Sequence, residues 1–287
     1  AHIELERAYA QVGGNGQINM ALCCDFLSWR LSLHTDVERR YTFSERYAAL
    51  LRYHDASWIN IWSATSAYYH ALRGETDKIP EIFSQHRLSD IHLLAPGKPM
   101  MEMIENQVYL AQGAYAKVVG RSAEQLAACE AMHYALVALH IRIQTAAAYA
   151  RLGKPETAHT WLQKALSDAG PDGLVMPFAE NYSLLKPLLA RETRSAFAAR
   201  ITALGEAAQA RGAERLRPAA FRALTAREFE IVELMVQRLS NREIAQKCYL
   251  SEGSVKQYVN QIYSKLHIEG DTRTKRAQLA ALLHEKT

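Results

Sequence analysis

The stretch LSNREIAQKCYLSEGSVKQYVNQIYSKL, residues 239–266, holds two helix starts only eleven residues apart. Ser240 opens the first, and Glu243 three residues on completes an S-x-x-E capping box, in which each side chain satisfies a backbone N–H. Ile244, Ala245 and Cys248 then form a narrow apolar face. Ser251 opens the second, its hydroxyl placed to cap the N–H groups near Gly253 and Ser254. Val255, Val259, Ile262 and Leu266 follow at helical period as one apolar stripe. Upstream, Thr225 and Glu228 make a third capping box, backed by Ile231, Leu234 and Met235. Capped helices joined by a tight turn predict a helix-turn-helix inside a small bundle.

The longer helix leaves Gln257, Asn260, Gln261 and Ser264 opposite its stripe, with Lys256 and Tyr263 on the flanks. Asn and Gln pair bidentately with adenine edges, and Lys reaches guanine or phosphate. At 1.5 Å per residue the helix is about 20 Å long, a length that fits a major groove about 12 Å wide. Composition alone also permits an ordinary solvated face, because polar outer faces are general.

The runs LTAREFEIVELMVQRLSNREIA (224–245), LSEGSVKQY (250–258) and IYSKL (262–266) decide between these readings. In order and spacing they resemble the LuxR/NarL-type DNA-binding domain. Three positions depart from that pattern: Ser254 where Thr is usual, Tyr258 where His is usual, and Arg238 where Gly is usual. The serine keeps a hydroxyl, Tyr258 sits at the edge of the packed face, and Arg238 strains the end of its helix. Carried over residue by residue, the resemblance implies base contacts at Lys256, Gln257 and Asn260. It implies phosphate contacts at Ser251, Ser254, Lys265 and Arg242. A fourth helix that dimerises on DNA is implied over Ala277, Leu279, Ala280, Ala281, Leu282 and Leu283. A dimer would place two reading helices about one duplex turn apart on a two-half-site promoter.

Charge distribution agrees. Of a net +4 over 287 residues, residues 211–287 carry fourteen Lys/Arg against nine Asp/Glu, a balance of +5. The first 210 residues hold twenty against twenty-one, a balance of −1. A basic segment beside a groove-reading helix is the electrostatic footprint of a DNA partner.

The region before this bundle reads as helix throughout, with Gly74, Gly113 and Gly153 spaced 39 and 40 residues apart. The run YARLGKPETAHTWLQKA (149–165) places Tyr, Gly, Ala, Leu and Ala as a tetratricopeptide repeat does; Tyr109 and Gly113 repeat its opening. A hairpin of helices cannot bury its apolar face alone, so such units stack into a solenoid, with Ala146, Ala158 and Ala165 where helices approach closely. The Pro/Gly-rich run DAGPDGLVMPF (168–178) ends the repeats, and two closing helices are expected near 180–190 and 194–212. The expected fold is therefore all-α: a TPR-like helical-repeat solenoid over 1–212, a basic linker over 213–223, and a four-helix LuxR-type domain over 224–287.

The first part also resembles the helical repeat domain of maltose-activator-like regulators, which carry an upstream nucleotide-binding domain. No G-x-x-x-x-G-K-[ST] occurs, and Lys98 and Lys154 are each followed by Pro, so neither ATP nor another cofactor is expected. The opening run IELERAYA (3–10) already reads as helix, and the expectation is a piece of a longer protein. No apolar run approaches eighteen residues and no signal peptide opens the chain, which points to a cytoplasmic protein without a membrane partner. Cys23, Cys24, Cys129 and Cys248 lack metal-ligand spacing and read as reduced thiols. His133, His140 and His159 read as ordinary surface or core residues. No nucleophile elbow frames a triad, so no enzyme is expected.

Trp58, Trp62 and Tyr69 share one helix face, read either as core or as the lining of an effector pocket. The sequence thus describes a transcription regulator that senses a small effector or a partner protein and binds promoter DNA as a homodimer. The alternative is a TPR-like interaction scaffold whose C-terminal bundle is a docking module. Residues 211–287 alone would shift promoter DNA under the first reading and ignore it under the second.

Overall fold

A computed structural model describes residues 2–15, 17–35, 42–50, 56–91, 95–216 and 219–284. These residues form helices and turns, with no strand among them. The chain divides into two compact units, 1–209 and 210–287.

The first unit contains α1 (His2–Asn15), α2 (Ile18–His34), α3 (Phe43–Leu50), α4 (Ala56–Leu72), α5 (Glu81–Ser84), α6 (Lys98–Ala111), α7 (Tyr115–Ala131), α8 (Ala135–Arg151) and α9 (Pro155–Ala169). After the Pro/Gly-rich run come α10 (Met176–Glu180), α11 (Tyr182–Leu189) and α12 (Ala196–Leu216). Consecutive helices from α6 to α9 pack on one another.

One turn recurs. Gly74, Gly113 and Gly153 have φ of +70°, +77° and +71°. Each donates its N–H to the carbonyl three residues back, on Ala71, Leu110 and Ala150. The next N–H reaches five back, to His70, Tyr109 and Tyr149. This double closure satisfies carbonyls that a helix end leaves orphaned, and its left-handed residue favours glycine. The glycine period seen in the sequence is the period of this turn. Between those turns His86 and His133 take the same role at φ 56° and 57°, with the same two hydrogen bonds.

Small residues set the packing of α8 and α9. Ala146, Ala147, Ala148, Ala158 and Ala165 have no exposed surface, so the helix backbones approach closely around Leu139, Ile143 and Leu162. Phe178, Tyr182, Leu185 and Leu188 close this core. Where α12 crosses Tyr182, a Cβ on Gly205 would lie 2.2 Å from the ring, so only glycine fits.

Helix α12 continues past its expected end at 212. Gly212 alone does not break it, and the helix is described as far as Leu216. The expected linker thus opens inside a helix and ends in the single 3-10 turn Ala219–Phe221; residues 217 and 218 lie outside the described residues.

The second unit contains α13 (Ala226–Val236), α14 (Asn241–Cys248), α15 (Glu252–Lys265) and α16 (Thr272–His284). Phe221, Ile231, Val232, Ile244, Val255, Ile262 and Leu279 are at its centre with no exposed surface.

Candidate nucleic-acid interface

The local chemistry read at each helix start is present. Thr225 and Ser240 each accept a hydrogen bond from the amide three residues on, while Glu228 and Glu243 accept from the Thr225 and Ser240 amides. Ser251 caps α15, its Oγ accepting from the Ser254 amide at 3.0 Å. The Ser254 hydroxyl lies 2.9 Å from the same oxygen. Between α14 and α15, Tyr249 takes a left-handed conformation, φ 54°, and Leu250 N–H donates to the Ala245 carbonyl at 2.9 Å. That tight reversal sets α15 at an angle to α14, the geometry of a helix-turn-helix.

Helix α15 divides into two faces. Val255 and Ile262 are fully buried, and Val259 and Leu266 are half-buried at the margin. Tyr263, placed on a flank by periodicity, is instead a core residue, 7% exposed. It belongs to the cluster that includes Leu279 of α16, and this widens the buried face. Lys256, Gln257, Asn260, Gln261 and Ser264 are exposed on the other side. Arg242 is exposed on α14, and Tyr258 packs half-buried at the edge of the core.

Lys265 has a different setting. Its Nζ donates to Glu228 Oε2 at 2.8 Å, joining the end of α15 to the start of α13. Glu228 is 3% exposed. Burial pushes its carboxyl up, but Lys265 and the Thr225 amide and hydroxyl reverse this and hold it below its ordinary value. Arg227 donates to the Cys248 carbonyl at the end of α14 and to Glu230 at 2.6 Å. Lys265 with Glu228, and Arg227 with Cys248, are far apart in sequence, so no local pattern showed them.

Tyr69 is buried, its ring edge-on to Trp29 at 5.5 Å. Trp62 is half-buried with its ring 4.7 Å from Tyr47, and Trp58 is half-buried. A cleft of about 520 Å³ lies elsewhere in this unit, walled by Leu5, Leu27, Leu136, Val175, Met176 and Arg30. None of the three aromatic residues lines it.

Beneath that cleft is a buried polar knot. Arg30 Nε donates to Glu180 Oε1 at 2.6 Å, and the Tyr68 hydroxyl donates to Glu180 Oε2 at 2.8 Å. His140 lies 3.4 Å from both Arg30 and Tyr68. Burial, and then the Arg30 charge, push the His140 imidazole down to about 4, with Glu180 opposing. Helices α2, α4, α8 and α10 are tied together through these four residues.

A polar-faced helix set on a compact bundle by a tight turn defines a helix-turn-helix reader. Residues 222–277 match the family described as bacterial regulatory proteins, luxR family. The C-terminal unit is thus a LuxR-type helix-turn-helix domain. A stretch of 50 residues is 44% identical to the transcriptional regulatory protein LnrK of Bacillus subtilis (strain 168), covering 17% of this chain and 23% of that protein. The chain therefore spans about a quarter of the length of this curated relative. No solved structure matches the chain. Among the described residues no helix is long and apolar enough to cross a membrane.

Proposed function

We propose that this protein is a sequence-specific DNA-binding transcription regulator whose C-terminal unit reads promoter DNA through α15. One observation carries the reading: Lys256, Gln257 and Asn260 are exposed together, while the opposite side of the same helix anchors in the core. Their amide and ammonium groups contact base edges, and Ser251, Ser254 and Arg242 contact phosphates. Lys265 is held by Glu228 through one N–H of its ammonium and remains partly exposed, so its other N–H groups are open to a phosphate. The first unit is a TPR-like helical repeat that receives a small effector or a partner protein, and the chain acts on DNA as a homodimer. The name of the Bacillus relative, a transcriptional regulatory protein, supports the same reading.

Lys256→Ala and Asn260→Ala in the full chain should each weaken binding to a duplex selected from a random pool by about 1–3 kcal/mol, the range for one good base contact. If both variants bind like the parent at matched salt, α15 is not the reading helix.

A further inference from the structure

Base reading by α15 leaves Arg238, Lys275 and Arg276, part of one concentration of positive charge, without a role. Arg238, Arg242, Lys256, Lys275 and Arg276 line one open groove of about 740 Å³, bounded by the start of α14, one flank of α15 and the start of α16. None of the five forms an ion pair among the described residues. The pairing elsewhere in this unit makes that informative: Arg227 is neutralised by Glu230 and Lys265 by Glu228. Two carboxylates share the groove, and Glu243 is already engaged by the Ser240 amide and hydroxyl. Gathered like charges repel until a counter-charge arrives.

Two of these cations are fixed before any ligand binds. Arg276 Nη2 donates to the Leu239 carbonyl at 3.2 Å, and Lys275 Nζ lies 5.4 Å from the centre of the Tyr263 ring. A third, Arg238, occupies a left-handed position with φ 65°, where glycine would be less strained. The groove adjoins the reading face, since Lys256 and Asn260 belong to both.

We propose that this groove is a second, sequence-independent site that takes the phosphate backbone of the duplex, with Arg238, Lys275 and Arg276 as contacts beyond those assigned above. The proposal rests on the reading of α15 as the DNA-contacting helix. It gives the start of α16 a task on DNA distinct from dimerisation. Such contacts set affinity and register and carry no base preference.

The test measures binding of the full chain to a mixed-sequence duplex by fluorescence anisotropy across a salt series. Arg238→Gly removes one charge and supplies the residue that its backbone prefers, so its melting temperature should equal or exceed the parent's. Lys275→Gln removes a second charge at a half-buried position. Each should lower the slope of log Kobs against log salt by about 0.9, and the double variant by about 1.8. The preference for a selected duplex over a mixed one should not change. If these slopes equal the parent's while Lys256→Ala and Asn260→Ala weaken binding, the groove is not a phosphate site and the reading of α15 stands. If all four substitutions leave binding intact, the reading of α15 fails and the groove proposal fails with it.

Discussion

Replacing Glu228 by Gln tests whether one carboxylate holds the C-terminal unit together. Glu228 is nearly buried, closes the capping box of α13 by accepting from Thr225 N–H at 2.7 Å, and takes Lys265 Nζ at 2.8 Å. Glutamine keeps the shape and one acceptor oxygen, so neither a cavity nor a bare helix end is created. What changes is charge. The Thr225 N–H bond, charge-assisted at about 1.5–3 kcal/mol, becomes a neutral one worth about 0.5–1.5 kcal/mol, while Lys265 keeps a hydrogen bond to the amide oxygen but loses its counter-charge. Lys265 is 41% exposed, and water already screens its share, so the net loss is about 1–2 kcal/mol. Lys265→Met should cost at least as much, because it leaves the Glu228 carboxylate buried without a counter-charge. The double variant should then cost less than the two single losses together.

Amide hydrogen exchange separates the units. Exchange through opening of α13 and α15 should speed up about five- to thirtyfold in Glu228→Gln, while α8 and α9 exchange as in the parent. Acid should act in the same way. A carboxylate with a lowered pKa contributes fully above its unfolded value near 4.5, and the contribution fades as pH falls through the folded value. Unchanged exchange in α13 and α15, or strictly additive losses in the double variant, would refute this account.

Two further outcomes concern the first unit, which holds all four tryptophans and reports its own unfolding by fluorescence. Gly153→Ala should destabilise it by about 1–2 kcal/mol, a purely backbone cost because no atom lies within 4 Å of the added Cβ. His133→Gly, in the equivalent turn at φ 57°, should stabilise it; the idea fails if the two shifts share a sign. His140 enters the folded state neutral, with its pKa pushed down to about 4 by burial and Arg30, against 6.5 unperturbed. The unfolded chain therefore binds a proton that the folded one refuses, and stability falls as pH drops from about 6.5 toward 4. Urea midpoints should show that fall, and His140→Gln should flatten it; parallel pH profiles would exclude His140 as the source.

Hydrogen bonds within a few residues were legible in the sequence, and those that depend on tertiary placement were not. The capping boxes at Thr225 and Ser240, the cap at Ser251 and the three periodic glycines all act over five residues or fewer, so their spacing shows them. Arg30 and Glu180 are 150 residues apart, and Lys265 and Glu228 are 37 apart. No window holds either pair. Tyr263 illustrates an intermediate case: it follows Val255 and Val259 at i+8 and i+4, so it fits the helical stripe. A tyrosine can border either face, and only the packing of α16 assigns it to the core.

Left-handed turns connect these two levels. Glycine advertises such a turn, because other residues pay about 1–2 kcal/mol for the conformation. His86, His133, Tyr249 and His267 pay it unannounced, Arg238 shows it only by departing from the family's glycine, and each closes its helix with the same pair of hydrogen bonds as the glycines do. At Arg238 the strain comes with a charge on the groove beside Asn260, which glycine could not supply. The substitution Arg238→Gly therefore separates two quantities that the native residue combines. A gain in stability with a loss of salt dependence means that the strain is carried for phosphate binding. A gain in stability with binding unchanged leaves the strained turn without that purpose.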